Sequence, residues 1–163
     1  MKEIKQTFQI KEFDSLDELN SEQQLLLAKA KEALQYSYSP YSNFKVGCAI
    51  LLENGSIVLG SNQENASFPA GICAERVAVS NAVHQYDSED IVSMAITVKS
   101  DDFEVSAPIA PCGVCRQVLL ESELKQNQEF TILLQGSEGK IYEVPSAKSL
   151  LPLYFFEDGL KKG

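Results

Sequence analysis

The chain predicts an α/β fold: a mixed β-sheet of about five strands sandwiched by helices, in one domain spanning residues 1–163. Two apolar runs, IVSMAITV (91–98) and FTILLQG (130–136), carry this reading, because strands covered on both faces are apolar at nearly every position. Helical stretches separate the strands, so the connections cross over the sheet. An Asn54-Gly55 pair between two β-rich runs adds an antiparallel hairpin and makes the sheet mixed.

Taken in order, residues 1–20 form an N-terminal extension with no readable motif beyond a possible helical turn at Ser15–Leu19. Ser21 followed by EQQLLLAKAKEALQYS reads as a capped helix with an apolar face of Leu25, Leu26, Ala28, Ala33 and Leu34. SYSPYSN supplies turn residues and a proline stop. The hairpin FKVGCAILLENGSIVLGSN follows, its Asn54-Gly55 suited to the positive φ values of a type I′ turn. A helix runs from about Cys73 to His84, with Val77, Ala78, Val79, Ala82 and Val83 as apolar residues, and then comes the first buried strand. A further helix starts near Pro111 or Cys112, the second buried strand follows, and KIYEVP is a weaker edge strand. A capped turn, Ser146 to Leu151, ends at Pro152. The basic tail Lys161-Lys162-Gly163 carries no information. There is no Gly-rich phosphate loop.

Composition narrows the partners. A net charge of −9, with 14 basic residues in no dense patch, disfavours nucleic acid, whose binders rely on Lys and Arg to displace counterions. A small neutral substrate or a protein partner is expected instead. No apolar run approaches the roughly 18 residues of a membrane helix, and MKEIKQTFQIKEFDSLDEL lacks the apolar core of a signal peptide. A cytoplasmic protein without membrane association is expected, and there four cysteines favour metal or catalytic roles over disulfides.

Three of those cysteines form a constellation. PCGVC places Cys112 and Cys115 on one face of a helix start, and Cys73 begins the other apolar helix. A redox dithiol explains CxxC but leaves Cys73 without a purpose. Two helix N-termini converging on one point stabilise thiolates, and three thiolates bind Zn²⁺ strongly. Cys48 lies mid-strand, where a free cysteine is a small buried hydrophobe, and His84 lies about three turns beyond Cys73, too far to share the site. Three protein ligands with a fourth position open describe a catalytic rather than a structural zinc. Glu75, in the first helical turn beyond Cys73, is suited to act as base and proton carrier for a zinc-activated water; the plainer account is an acid favoured by the helix dipole. Arg76 is expected to donate to the thiolate sulfurs and moderate their charge.

CAE followed downstream by PCGVCRQ resembles the zinc-dependent cytidine deaminases, whose signature joins H/C-x-E to P-C-x-x-C. SPYSNFKVGCAI, GSNQENASFPAGICAER and LLPLYF are similar to further stretches of the small homotetrameric members, over about Leu25 to Phe156. The resemblance implies the cytidine deaminase-like fold. It implies Cys73, Cys112 and Cys115 as zinc ligands and Glu75 as the proton shuttle. Asn62 and Glu64 would hold the ribose hydroxyls, Phe44 would pack on the pyrimidine ring, and the Ala74 N–H would meet the base carbonyl. Phe68 and Phe155 would close the pocket from neighbouring subunits. The reaction implied is hydrolysis of cytidine and 2′-deoxycytidine to the uridines with release of ammonia, in pyrimidine salvage. Phe68 stands where Tyr is common, and Leu153 and Tyr154 stand where the family has small residues after LLP. Two alternatives remain. One is a deaminase of another cytosine nucleoside, such as the blasticidin type, against which Arg76 and the Asn62–Glu64 pair speak. The other is a non-catalytic zinc-stabilised module.

Overall fold

The computed structural model describes residues 1–87 and 89–160, so the basic tail lies outside the described residues. Six strands form one sheet: β1 (Lys11–Phe13), β2 (Phe44–Leu52), β3 (Ile57–Ser61), β4 (Ile91–Ser100), β5 (Thr131–Gln135) and β6 (Ile141–Val144). Their spatial order is β1-β6-β5-β4-β2-β3, with β4 and β5 parallel and every other pair antiparallel. Four helices complete the fold: α1 (Ser21–Ala33), α2 (Ala74–Gln85), α3 (Gly113–Gln126) and the short α4 (Ala147–Leu150).

The pleat divides the apolar residues between two layers. Cys48, Ile50 and Leu52 of β2 point to one face, with Met94, Ile96, Ile132 and Leu134, and pack under α2, α3 and α4. Ala49 and Leu51 point to the other face with Ala95 and Leu133, and meet Leu26, Leu27 and Ala30 of α1. Both faces of β4 and β5 are covered, which is why their sequences show no alternation.

The sheet has one strand more than expected. The sixth is β1, drawn from the N-terminal extension and paired with β6. Lys11-Glu12-Phe13 has no apolar periodicity to betray it; Phe13 alone of the three is partly buried. It is held by its antiparallel ladder to β6 and by Phe13 against the core, and at the surface Lys11 Nζ meets Glu143 Oε1 at 2.6 Å and Lys140 pairs with Glu12. By occupying the edge of β6 it removes a row of free backbone groups.

Three local expectations need correction. The buried face of α1 is Leu26, Leu27, Ala30 and Ala33, whereas Leu25 and Ala28 of the expected face are exposed, because the helix lies on the sheet one position round from the face read in the sequence. Asn20, not Ser21, caps α1: its Oδ1 accepts from the Gln23 N–H at 2.9 Å while Gln23 Oε1 accepts from the Asn20 N–H at 3.1 Å. The hairpin turn is not type I′. Gly55 has φ 83°, whereas Asn54 is not among the non-glycine residues with positive φ. The Gly55 N–H bonds to Leu52 O at 2.9 Å, giving a turn closed by a left-handed glycine. The Asn54 side chain accepts from the Ser56 N–H at 2.8 Å, which holds that turn in place.

Two glycines let helices approach the sheet at backbone distance. A Cβ on Gly47 would lie 2.1 Å from Ala30 O of α1, and one on Gly60 would lie 2.3 Å from Ala74 O and 2.4 Å from Ala78 N of α2. Gly60 therefore sets the height of the α2 N-terminus, where the candidate site begins. Gly60→Ala is expected to lower the melting temperature by roughly 10 °C, the effect of about 3 kcal/mol of overpacking, and to weaken metal retention. Calorimetry and a metal assay on the same sample check both.

Buried Glu123 of α3 seats α4. Its carboxylate accepts from Ser146 Oγ at 2.9 Å, from Ala147 N at 2.7 Å and from Phe130 N at 3.3 Å. No sequence pattern had singled it out.

Candidate active site

Cys73 and Cys112 are the N-cap residues of α2 and α3, and neither side chain accepts a capping hydrogen bond. The first-turn N–H groups of both helices are left to act on the sulfurs, and both dipoles present their positive ends. Cys115, one turn into α3, is fully buried. The three Sγ atoms lie within 4.8 Å of one another, and Cys73 and Cys112 are 3.8 Å apart. Tetrahedral zinc with bonds of about 2.3 Å separates sulfur ligands by about 3.8 Å, so the donor set fits that metal in chemistry and in span. Among the described residues this is the one such cluster. Cys48 and His84 take no part in it, as expected.

Charge is already managed within the cluster. Hydrogen bonds from Cys115 and then Cys112, together with the Arg76 guanidinium, hold the Cys73 thiol down at about 5 against the opposing effect of burial. Cys115 moves the other way, because it donates to Cys73 and is buried beside Glu75. Arg76 acts on both sulfurs through its charge, while its Nη2 donates to Gly71 O at 3.1 Å and its buried Nε has no nitrogen or oxygen partner.

Glu75 is 4% exposed and faces a cavity of about 550 Å³ that also reaches Cys73 and Cys112. Burial pushes its carboxyl above the ordinary carboxylate range, and the nearby Cys73 charge adds to that; its own N–H, Cys115 and Arg76 act in opposition. A carboxyl so placed holds a proton more readily than an exposed one.

The far wall of the cavity is polar and preorganised. Glu64 accepts from the Tyr41 N–H at 2.9 Å, the Ser42 N–H at 3.3 Å and Ser42 Oγ at 2.5 Å; the Ser42 hydroxyl is the main reason its carboxyl lies below the ordinary range. Asn62 Oδ1 accepts from Ser37 Oγ at 2.6 Å and from the Val46 N–H at 2.8 Å, and its Nδ2 donates to Phe44 O at 2.9 Å. Both Asn62 lone pairs are thus used and one N–H remains, while Glu64 keeps capacity to accept. One donor beside one acceptor matches a hydroxyl group. Ser37, Tyr41 and Ser42 had drawn no attention in the sequence as positioning groups.

Aromatic and apolar groups close the remaining walls. Phe44 lines the cavity from the start of β2, with Ile96 and Val98 of β4 and Ile109 beyond it. Phe68 lines the cavity of its own chain, packed edge to face on Tyr41 with centroids 5.9 Å apart. Ala74 is buried at the first position of α2, where its N–H has no intrahelical acceptor.

A family profile described as the cytidine and deoxycytidylate deaminase zinc-binding region matches residues 20–128. The chain belongs to this family. The matched stretch contains all three cysteines, and the cofactor is zinc. A cytidine deaminase of Halalkalibacterium halodurans is 34% identical over 137 residues, 84% of this chain and 97% of that one. A cytidine deaminase of Sporosarcina psychrophila is 39% identical, covering 83% of this chain and 92% of its own. The crystal structure of cytidine deaminase from Burkholderia pseudomallei superposes with a TM-score of 0.71 at 34% identity, covering 84% of this chain and all of that one.

The C-terminal segment carries a strained residue. Leu153 has φ 55°, a left-handed conformation costly for a branched residue. It is 96% exposed, so its side chain offers little packing in return. Leu153→Gly is expected to stabilise the chain by about 1 kcal/mol, a rise of roughly 3 °C in melting temperature. Phe155, 72% exposed, is not among the cavity-lining residues; its carbonyl accepts from Gln117 Nε2 at 3.2 Å.

Proposed function

We propose that this chain catalyses the hydrolytic deamination of cytidine and 2′-deoxycytidine to uridine and 2′-deoxyuridine, releasing ammonia. The observation that carries the reading is a buried carboxyl, Glu75, beside a three-cysteine cluster in a cavity whose opposite wall is matched to a hydroxyl group. The cytidine deaminases among its relatives support the substrate class.

In this reading Cys73, Cys112 and Cys115 hold the zinc, which when bound supplies the Lewis acidity that lowers the pKa of a water from 15.7 towards about 7. Asn62 donates its remaining N–H to a sugar hydroxyl oxygen, and Glu64 accepts a hydrogen bond from a sugar O–H. Phe44 stacks on the base, and the Ala74 N–H meets its carbonyl. Glu75 takes a proton from the attacking water and delivers it to ring N3, which makes C4 more electrophilic. The water oxygen bonds to C4, Glu75 moves the second proton to the exocyclic amine, and the C4–N bond breaks. Arg76 offsets the negative charge of the thiolates throughout.

The enzyme would serve pyrimidine salvage in the cytoplasm. No helix among the described residues is long and apolar enough to cross a membrane. Exposed Phe155 suits a pocket completed by neighbouring subunits in a homotetramer, and elution at monomer mass from a sizing column would overturn that assembly. The reaction is tested by following the ultraviolet spectra of cytidine and deoxycytidine with purified, zinc-assayed protein. Unchanged spectra with zinc bound would sink the reading.

A further inference from the structure

The loop from Asp101 to Pro111, between β4 and α3, carries an aromatic that the reaction above does not use. Phe103 stacks on Phe44 with ring centroids 6.1 Å apart and planes 27° apart, although it is 58% exposed. It is not itself among the residues lining the cavity.

The loop is tied to the strand that bears Phe44. Lys45 Nζ meets Asp101 Oδ2 at 3.0 Å, and the Asp101 N–H bonds to Asn43 O at 3.2 Å. Asn43 Nδ2 lies 3.3 and 3.4 Å from the two Asp102 carboxylate oxygens. Asn43 itself has φ 51°, so the chain turns sharply just before Phe44, in a conformation that Asn tolerates better than most residues. On the other side of Phe103 the loop is anchored by buried Val105. Its carbonyl accepts from the Ser137 N–H at 2.8 Å, and a Cβ on Gly136 would lie 2.1 Å from that same carbonyl oxygen. Phe103 is thus suspended between two fixed points, facing a ring in the cavity wall.

The backbone of Phe44 is held independently, its N–H donating to Ser42 Oγ at 3.1 Å and its carbonyl accepting from Asn62. Those bonds leave the ring free to change rotamer. We propose that Phe103 is a positioning residue for Phe44, backing its ring so that the face offered to the base is fixed before substrate arrives. This rests on the nucleoside reading above. It predicts an effect on binding and none on proton transfer, because Phe103 is not among the residues lining the cavity that Glu75, Cys73 and Cys112 line.

The test is steady-state kinetics on cytidine and deoxycytidine with the zinc-loaded wild type, Phe103→Ala, Phe103→Tyr, Phe44→Ala and the Phe44→Ala/Phe103→Ala double variant. Phe103→Ala is expected to raise KM about fivefold, the size of an aromatic pair, with kcat within about twofold. Phe103→Tyr restores KM, and in the double variant the loss of Phe103 adds nothing to the loss of Phe44. An unchanged KM in Phe103→Ala with an active wild type overturns this role alone, as does an additive double variant. A wild type inactive on both nucleosides overturns the nucleoside reading and this role with it.

Discussion

Glu75→Gln is expected to keep its zinc and lose about a thousandfold in kcat, within the range that a positioned acid–base group contributes. The amide matches the carboxylate in shape, so packing in a site where Glu75 is only 4% exposed is preserved. What it cannot do is take a proton from water and give it up again, first to N3 and then to the amine. Burial lifts the Glu75 carboxyl above the ordinary carboxylate range, and that tuning has no counterpart in Gln. If Glu75 were only an acid favoured by the α2 dipole, the substitution would cost well under about 1 kcal/mol of stability and leave turnover intact. Zinc content and single-turnover kinetics on the same preparation separate the accounts. Wild-type kcat in the variant would refute the shuttle role.

Cys115→Ser is expected to abolish turnover by loss of metal. Zinc affinity should fall by more than the roughly 10–100-fold that removal of an outer partner costs, because a direct soft ligand is lost from a set of three. Cys48→Ala is the matched control: Cys48 is equally buried but stands outside the cluster, in the middle of β2. It should keep full zinc content. Both variants should fold, since the two apolar layers on the sheet are built from side chains outside the three-cysteine cluster. For the same reason a chelator is expected to stop activity while leaving the far-ultraviolet circular dichroism unchanged, and added zinc should restore turnover. Unfolding on chelation would mark the zinc as structural.

The parts of this molecule that were legible in its sequence are those written over short distances. β4 and β5 are apolar at successive positions, and Cys73, Cys112 and Cys115 sit at recognisable helix starts. The less legible parts depend on distant partners or on single atoms. β1 is held by pairing with β6, more than a hundred residues away, so its own three residues carry no strand signal. The hairpin turn was expected as type I′ from Asn54-Gly55, but the Asn54 side chain bonds to Ser56 and only Gly55 adopts positive φ. The polar wall shows the same limit: Asn62 and Glu64 were visible by resemblance, whereas their remaining hydrogen-bonding capacity depends on Ser37, Tyr41 and Ser42.

By itself, then, the sequence determined the layered α/β class and named the chemistry, because helix starts, apolar runs and soft ligands are local properties of neighbouring residues. Only the tertiary structure decided that Cys73 and Cys112, 39 positions apart, stand 3.8 Å from one another. That distance follows from the β4 crossover and from Gly60, whose missing side chain lets α2 lie against β3 at backbone contact. The structure alone also decided that Phe103 stacks on Phe44, since no periodicity in a chain records the stacking of a loop ring on a ring at a strand's start.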